Sequence, residues 1–390
     1  MSRTPGAAAA AGPDDERRGE RFRDDVHAAM PGWVTARLVV LGALGLAHVV
    51  AAKVDASVPG FTDRLSRGLL AWDGRWYFDI AERGYAALPD ESLRFFPLYP
   101  LVARALSPLV AGHTGLALLL VSNAAALALG ALVHRLALVE TGDPALARRA
   151  AWLTALIPPF YVLVMGYGEP LALSLSVGCF LALRRRRWGW AAAAGFLSGL
   201  TRPVGAILSV PAAVEAARGI RSAPAGERVL RGIAVVAPMA GVASFLVWVG
   251  GRFDDALLPL DVQNRAHLRG GFANPVVTVV RAAGDLVQGD VGLGHNSVHL
   301  PWVVVAAVLA VVACRRWPAP YGAFAVTTLV VVLSARNLGS FERYAFGAFP
   351  LVLALASVTA ASWAERLVLS VSASLLAGYA TLALLLYYVP

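Results

Sequence analysis

The chain has 390 residues, of which 58% are hydrophobic and 15% charged, and its mean hydropathy is +0.63. A soluble domain is about half apolar and about a quarter charged, so this composition excludes an ordinary soluble protein and predicts a polytopic membrane protein. The net charge of +9 does not indicate a nucleic-acid partner, because the arginines stand in short groups between apolar runs. Cys179 and Cys314 lie in different apolar runs without metal-ligand spacing, so we expect no disulfide, metal or cofactor.

The first 32 residues differ from the rest of the chain. They are rich in alanine, glycine and proline and then carry mixed charges, so they lack the apolar residues that a core needs. We predict a disordered cytoplasmic tail over 1–32 and a single transmembrane domain over 33–390. Within that domain, the first outer loop covers 53–113 and contains a re-entrant or interfacial helix near 95–111, and the second outer loop covers 250–299.

The apolar runs predict an all-α protein with about eleven transmembrane helices. A membrane-spanning helix needs about 20 mostly apolar residues, and several runs are shorter and stand in pairs. The predicted spans lie near 33–52, 114–133, 150–166, 170–183, 188–200, 204–217, 233–249, 300–314, 321–333, 345–361 and 367–387.

One orientation of these spans satisfies the positive-inside rule, by which arginine and lysine collect in cytoplasmic loops. With the amino-terminal tail inside, the arginine groups at 148–149, 184–187, 218–231 and 315–316 all face the cytoplasm. The same orientation puts both long polar loops and Arg202 on the outside. We therefore predict a multi-pass plasma-membrane protein whose functional site is extracytoplasmic.

The first outer loop combines acidic and aromatic side chains. Asp73 lies between Trp72 and Trp76 and closely follows an apolar run, which places it at the membrane boundary. A carboxylate that loses hydration beside aromatic rings is a candidate general base, and aromatic faces suit the C–H side of a sugar ring. An interfacial aromatic belt with solvated charges has the same composition. Asp79 and Glu82 fit that second interpretation better than a catalytic one.

Three more ionisable residues interrupt apolar surroundings. Glu169 precedes Pro170 at an outer turn, where it either caps the next helix or contributes to a site. Arg202 lies at bilayer depth, which is typical of a functional residue, and its planar guanidinium suits phosphate. A buried ion pair with Glu169 is the structural alternative. Arg343 lies at the mouth of a span, where interfacial anchoring competes with function.

The order of residues in the first outer loop resembles a known family. Trp-Asp-Gly-Arg-Trp-Tyr at 72–77, Ile-Ala at 80–81, Gly-Tyr at 84–85 and Phe-Phe-Pro-Leu-Tyr-Pro at 95–100 are similar to its first-loop signature. This family is the PIG-V type, the GPI mannosyltransferase II enzymes and their bacterial relatives, within the C-type glycosyltransferase superfamily.

Later motifs extend the resemblance over roughly 72–350. Tyr-Gly-Glu at 167–169 is similar to the family's Tyr-Ser-Glu, with Gly168 in place of the serine. Thr-Arg-Pro-Val-Gly at 201–205 resembles a second motif. Gln263 and the pair Arg343-Tyr344 match later positions more loosely. The eukaryotic members have a His-Phe pair where this chain has Trp76-Tyr77, which favours the bacterial branch.

The resemblance implies a multi-spanning, inverting enzyme that moves mannose from a polyprenyl-phosphate donor to an acceptor hydroxyl on the outer side. Asp73 would then be the general base or would position the acceptor, and Arg202, Arg265 or Arg343 would bind the leaving phosphate. The expected partners are the lipid-linked donor, a lipid-linked, glycan or protein acceptor, and membrane lipids. The substrate-binding residues predicted beside Asp73 are Trp72, Arg75, Trp76, Tyr85, Arg94, Tyr99, Glu169, Arg202, Gln263, Arg265 and Arg343.

Other classes of protein compete with this interpretation. A transporter or lipid flippase favours polar groups at the bilayer midplane and internal repeats, whereas here the polar groups collect on one side and no repeat is visible. A membrane scaffold does not account for Asp73 and Arg202 at membrane depth. The same enzyme architecture with another sugar, or with a protein or polysaccharide acceptor, fits the sequence equally well.

Overall fold

The structure is a computed structural model, and it describes residues 13–53, 65–266, 268–292 and 295–385. The described residues are 81% helical. Within the described ranges there is no β-strand, and one isolated antiparallel bridge joins Phe272 and Ala335. This confirms the predicted all-α class.

The helices follow one another with short connections, several of which are 3-10 turns. In the described ranges the α-helices are α1 (Pro13–Ala51), α2 (Asp73–Arg83), α3 (Leu98–Leu106), α4 (Thr114–Thr141), α5 (Pro144–Leu156), α6 (Glu169–Arg184), α7 (Trp188–Thr201), α8 (Ser209–Ala217), α9 (Ala225–Phe253), α10 (Leu258–Gln263), α11 (Pro275–Val287), α12 (Leu300–Arg316), α13 (Ala319–Leu333), α14 (Phe341–Phe346), α15 (Pro350–Val358) and α16 (Ser362–Leu384).

Five segments of the described chain are long and apolar enough to cross a membrane, and they support a helical membrane protein. They are Phe22–Ala51, Thr114–Thr141, Ala225–Phe253, Asn296–Arg316 and Ser362–Leu384. The other apolar helices are shorter than a bilayer crossing requires. At the predicted break near Arg202, α7 ends, a 3-10 turn covers Pro203–Leu208, and α8 follows.

The predicted disordered tail is wrong for the residues that the structure describes. Residues 1–12 lie outside the described part, but from Pro13 onward the chain is helical and continues without interruption into the first span. The physical reason is a tertiary contact that composition does not reveal. Asp25 is buried and accepts hydrogen bonds from Arg135 Nε and pairs with His134 Nδ1, both at 2.7 Å, so it fixes α1 against α4.

The first outer loop is folded around its own aromatic residues. Tyr77 packs edge-on against Phe95 and Tyr99, with ring centroids 5.1 and 4.8 Å apart. Phe96 meets Phe245 of α9 at 4.7 Å, which docks the loop on the bundle. The predicted re-entrant or interfacial segment is the short helix α3 with one further 3-10 turn. Part of the predicted loop, 54–64, lies outside the described residues.

Two groups of charged side chains mark the opposite ends of α6. Glu169 is its first residue and Arg184 its last, so they lie about 22 Å apart at 1.5 Å per residue. Arg184 contacts Glu140 of α4 at 2.6 Å and Glu215 of α8 at 3.2 Å. Glu169 belongs to the separate cluster described below.

Candidate functional site

Four residues from distant parts of the chain form one ionic cluster. Arg343 Nη1 lies 3.0 Å from Asp73 Oδ2 and 3.3 Å from Glu169 Oε1. Glu169 also pairs with Arg202. Three of the four side chains are nearly buried, and that of Asp73 is 26% exposed. The four ionisable residues that stood out in the sequence therefore meet at one place, and the alternative predicted for Arg202, an ion pair with Glu169, is present.

Local backbone features set the position of each member. Asp73 opens α2 directly after Trp72, whose φ of +58° is unusual for a residue with a side chain. The indole N–H of Trp72 donates to the Ala383 carbonyl at 2.9 Å, which ties this turn to the last helix. Arg202 has an extended backbone at the end of α7. These turns place the charged groups at helix ends, where the chain is not committed to intrahelical hydrogen bonds.

Tyr344 brings a third guanidinium to the cluster. Its hydroxyl accepts a hydrogen bond from Arg343 Nη2 at 3.1 Å. The guanidinium carbons of Arg269, Arg343 and Arg202 lie 4.1, 4.9 and 5.5 Å from the centre of its ring. The negative quadrupole of the ring attracts these three cations.

The cluster carries more positive than negative charge. Arg202, Arg269 and Arg343 give three positive charges, and Asp73 and Glu169 give two negative charges. The Nη1 atom of Arg269 is buried and has no hydrogen-bond partner among the residues that the structure describes. A partly buried site with an unused guanidinium donor suits an anion such as phosphate, which guanidinium forks bind through two parallel hydrogen bonds.

A small, mainly apolar cavity of about 50 Å³ adjoins the cluster. Glu169, Arg202, Arg343 and Tyr344 contribute its charged and polar end. Its apolar walls come from α6, the turn after α7, and α13, with Leu173, Val204, Ile207 and Phe324 among the lining residues; Asp73 is not one of them. Arg343 therefore connects Asp73 on one side with the cavity on the other.

Gly168 is required by close packing. A Cβ atom at this position would lie 2.9 Å from the Tyr77 hydroxyl and 3.6 Å from Tyr99 Cβ. A serine there would force the Tyr77 ring to move. The difference from the family motif therefore has a steric explanation in this chain, and the glycine keeps the first-loop aromatic cluster against the start of α6.

A second buried pair lies next to Arg343. Glu342 Oε1 is 2.8 Å from His299 Nδ1, and both side chains are almost fully buried. Trp302 donates to the Tyr379 hydroxyl at 2.7 Å in the same region. Because Glu342 and Arg343 are consecutive, the pair with His299 fixes α14 to the start of α12 and so positions the Arg343 side chain.

Several predicted site residues do not reach the ionic cluster. Arg75 pairs with Asp79 at 3.6 Å, Arg94 donates to the Glu91 carbonyl, and Arg265 pairs with the Glu91 carboxylate. The remaining ones make local contacts. Trp76 stacks on Phe95, and the Tyr85 hydroxyl donates to the Phe95 carbonyl. The Tyr99 hydroxyl donates to the Leu118 carbonyl of α4, and the Gln263 carbonyl accepts from the Arg269 N–H.

Sequence reasoning missed Arg269. It stands in a polar loop, where an arginine is ordinary, and the signal that was available was its place in the second outer loop near Gln263. The backbone explains how it reaches the site: Asn337 N–H donates to the Arg269 carbonyl at 3.1 Å, and Asn337 Nδ2 donates to the Leu268 carbonyl at 2.8 Å. The loop is thereby held beside α14.

Comparison of the sequence with protein-family models and with the curated proteins finds no match. The geometry and the charge of the cluster, together with the motifs that form it, are what support a functional proposal.

Proposed function

We propose that this chain is a membrane glycosyltransferase that moves a mannosyl residue from a polyprenyl-phosphate donor to an acceptor hydroxyl on the extracytoplasmic side. The observation that carries the proposal is the cluster itself: a partly exposed Asp73 at 3.0 Å from Arg343, with Arg202 beside an apolar cavity and Arg269 against the Tyr344 ring. A lipid-linked sugar phosphate needs all three parts, a base, cations and an apolar surface for the chain.

The two sides of Arg343 suit the two substrates. The cavity side offers Arg202 and Arg343 to the donor phosphate, with Arg269 nearby on the Tyr344 ring, and apolar walls to the first prenyl units. The Asp73 side is partly exposed and open to an acceptor. Asp73 takes the proton of the acceptor hydroxyl as its oxygen bonds to the anomeric carbon. The bond from that carbon to the phosphate oxygen breaks with inversion, and the guanidiniums stabilise the charge on the leaving phosphate.

The family that fits this function is the PIG-V type, and the fold that fits it is the C-type glycosyltransferase fold. The chain would cross the membrane about eleven times if each short apolar helix spans the bilayer together with a neighbouring turn. The segment from α7 through α8 is such a case, since its helices stop at Arg202 and resume after Pro203–Leu208. The break delivers a guanidinium to the site while the apolar pieces remain in the bilayer.

The test is sugar transfer by the purified full chain in lipid, supplied with polyprenyl-phosphate mannose and a panel of lipid, glycan and peptide acceptors. We expect mannose transfer by the wild type. Asp73→Asn should reduce the rate by about 10²–10⁴-fold, because the amide does not accept the proton.

The matched control is Asp79→Asn in the same helix. Asp79 pairs with Arg75 outside the cluster, so its loss should leave the rate unchanged. Full activity of the Asp73→Asn enzyme would remove Asp73 from the mechanism. If the wild type transfers no sugar to any acceptor although it binds polyprenyl phosphate saturably, the proposed enzymatic activity is contradicted. The chain would then be a protein that binds the lipid without transferring sugar.

A further inference from the structure

The second outer loop contains a helix with an apolar stripe that no described part of the chain covers. Along α11, the four residues Val276, Val280, Ala283 and Val287 recur at helical spacing and share one face. Val276, Val280 and Val287 are 69%, 63% and 88% exposed, and Phe272 just before the helix is 78% exposed. A stripe of this kind in water would be costly, because each side chain remains hydrated.

The opposite face of α11 is already in use. Thr278 and Ala282 are buried, and the Thr278 hydroxyl donates to the Ala335 carbonyl at 3.3 Å. The helix contacts the turn that precedes α12 and the helices α12 and α13. The valine stripe thus points away from the protein that α11 packs against, and the charged side chains of Arg281 and Asp285 lie on the faces between.

The length and neighbours of α11 point to its environment. Thirteen residues extend about 20 Å, which is too short to cross a bilayer. The helix contacts α12, which belongs to a segment long enough to span and exposes Val304, Val308 and Val311 along its length. The stripe on α11 therefore belongs to a helix that packs against a candidate membrane-spanning segment. An amphipathic helix in such a place lies in the membrane interface.

We propose that α11 is a membrane-surface helix whose valine stripe inserts among the lipid acyl chains at the same side of the bilayer as the ionic cluster. The partner that covers the valine stripe is the lipid bilayer. The stretch 268–273 that leads into α11 is hydrogen-bonded to 334–337, with Ala273 N–H donating to the Ser334 carbonyl at 2.8 Å. The anchor thereby holds Arg269 beside α14 and places the site at the level where a lipid-linked substrate has its phosphate.

The test is the collision of nitroxide spin labels with oxygen, which concentrates in lipid, and with a water-soluble nickel chelate. Single cysteines replace Val276, Val280, Arg281, Val287 or Val308 in the full chain carrying Cys179→Ala and Cys314→Ala, reconstituted in phosphatidylcholine nanodiscs. All five positions have exposed side chains, so the labels do not enter the core. No sugar transfer is measured, so the result stands apart from the proposed function.

We expect the three stripe labels to collide mainly with oxygen, at a depth shallower than the label at Val308, and the label at Arg281 to collide more with the nickel chelate. A label at the exposed residue Ala87 serves as the reference for a position in water. If the stripe labels collide with the nickel chelate as often as this reference label, the face is in water and the proposal is overturned. Two other outcomes would also overturn it. Low collision with both reagents together with label-to-label broadening would indicate a second copy, and a depth equal to that of Val308 would exclude a surface position.

Discussion

A single guanidinium holds the ionic cluster together. Arg343 contacts Asp73, Glu169 and the Tyr344 hydroxyl, all within 3.3 Å. Its removal would leave Asp73 without a cation while Glu169 keeps its pair with Arg202, so the cost should lie below the about 3–5 kcal/mol of a fully broken buried pair. Loss of activity on replacing Arg343 would therefore mix a structural with a chemical effect. The Asp73 side chain is more exposed, so its replacement is the cleaner probe of chemistry.

Tyr344 gives the cluster a group that titrates slightly above neutral pH. Burial raises the pKa of its phenol, but Arg343, Arg269 and Arg202 outweigh burial and lower the pKa to about 8. Because the ordinary pKa is about 10, the phenolate stabilises the folded state increasingly as the pH rises from about 8 to about 10, and this contribution is absent below pH 8. A phosphate bound to the same guanidiniums should compete with the phenolate, so its affinity should fall above pH 8.

The measurement is the ultraviolet difference absorbance of phenolate during a pH titration, wild type against Tyr344→Phe. We expect one tyrosine to titrate near pH 8 in the wild type and none in the variant. Burial raises the pKa of Tyr85 and Tyr99 well above the usual range, so these first-loop residues do not interfere. Saturating inorganic phosphate should move the midpoint upward. Identical titrations of wild type and variant would contradict the assignment.

Single ionisable residues in apolar surroundings could be found from the sequence. The sequence did not separate aromatic residues that bind a sugar from those that pack the fold. Asp73, Glu169, Arg202 and Arg343 stood out because burying a charge is costly unless another charge is near. Trp76, Tyr85 and Tyr99 are the residue types expected in a sugar-binding site, yet in the structure they pack the first loop. Composition does not separate these two uses, because both depend on the same apolar ring faces.

At the scale of helices, α7 and α9 approach each other through glycine. A Cβ atom on Gly199 would lie 2.2 Å from the Pro238 carbonyl oxygen, and one on Gly241 would lie 2.0 Å from the Phe196 carbonyl oxygen. With Gly195, these residues form the small-residue contact that lets helix backbones pack closely within a membrane. The contact matters for the site because α7 ends immediately before Arg202.

Gly199→Ala should therefore destabilise the protein by about 1–3 kcal/mol, since the clash is with backbone atoms that do not yield easily. Gly189→Ala is the matched control in the same helix: nothing lies within 4 Å of its Cβ position, and alanine is the better helix former. The midpoint of unfolding in detergent measures the difference. Equal midpoints for the two variants would contradict the close contact between α7 and α9.

Helix type was predictable over most of the chain, and helix length was not. Apolar windows located the segments and the break at Arg202, but they did not show that the next α-helix begins only at Ser209, after the 3-10 turn Pro203–Leu208. The start of α1 was missed because a long-range contact stabilises it. The contact of Asp25 with His134 and Arg135 joins residues about 110 positions apart, and only the tertiary structure reveals it.

At the scale of the whole molecule, the two charged ends of the bundle make the orientation testable. Cysteines at Ala87 in the first loop and at Ala225 at the start of α9 occupy exposed positions at the ends that we predict to be outer and inner. In intact cells, with Cys179→Ala and Cys314→Ala, a membrane-impermeant maleimide should label Ala87→Cys. Ala225→Cys should react only after permeabilisation, because Arg218, Arg221 and Arg228 beside it mark a cytoplasmic loop. The reverse pattern would turn the ionic cluster toward the cytoplasm, where an extracytoplasmic lipid-linked donor does not reach Asp73.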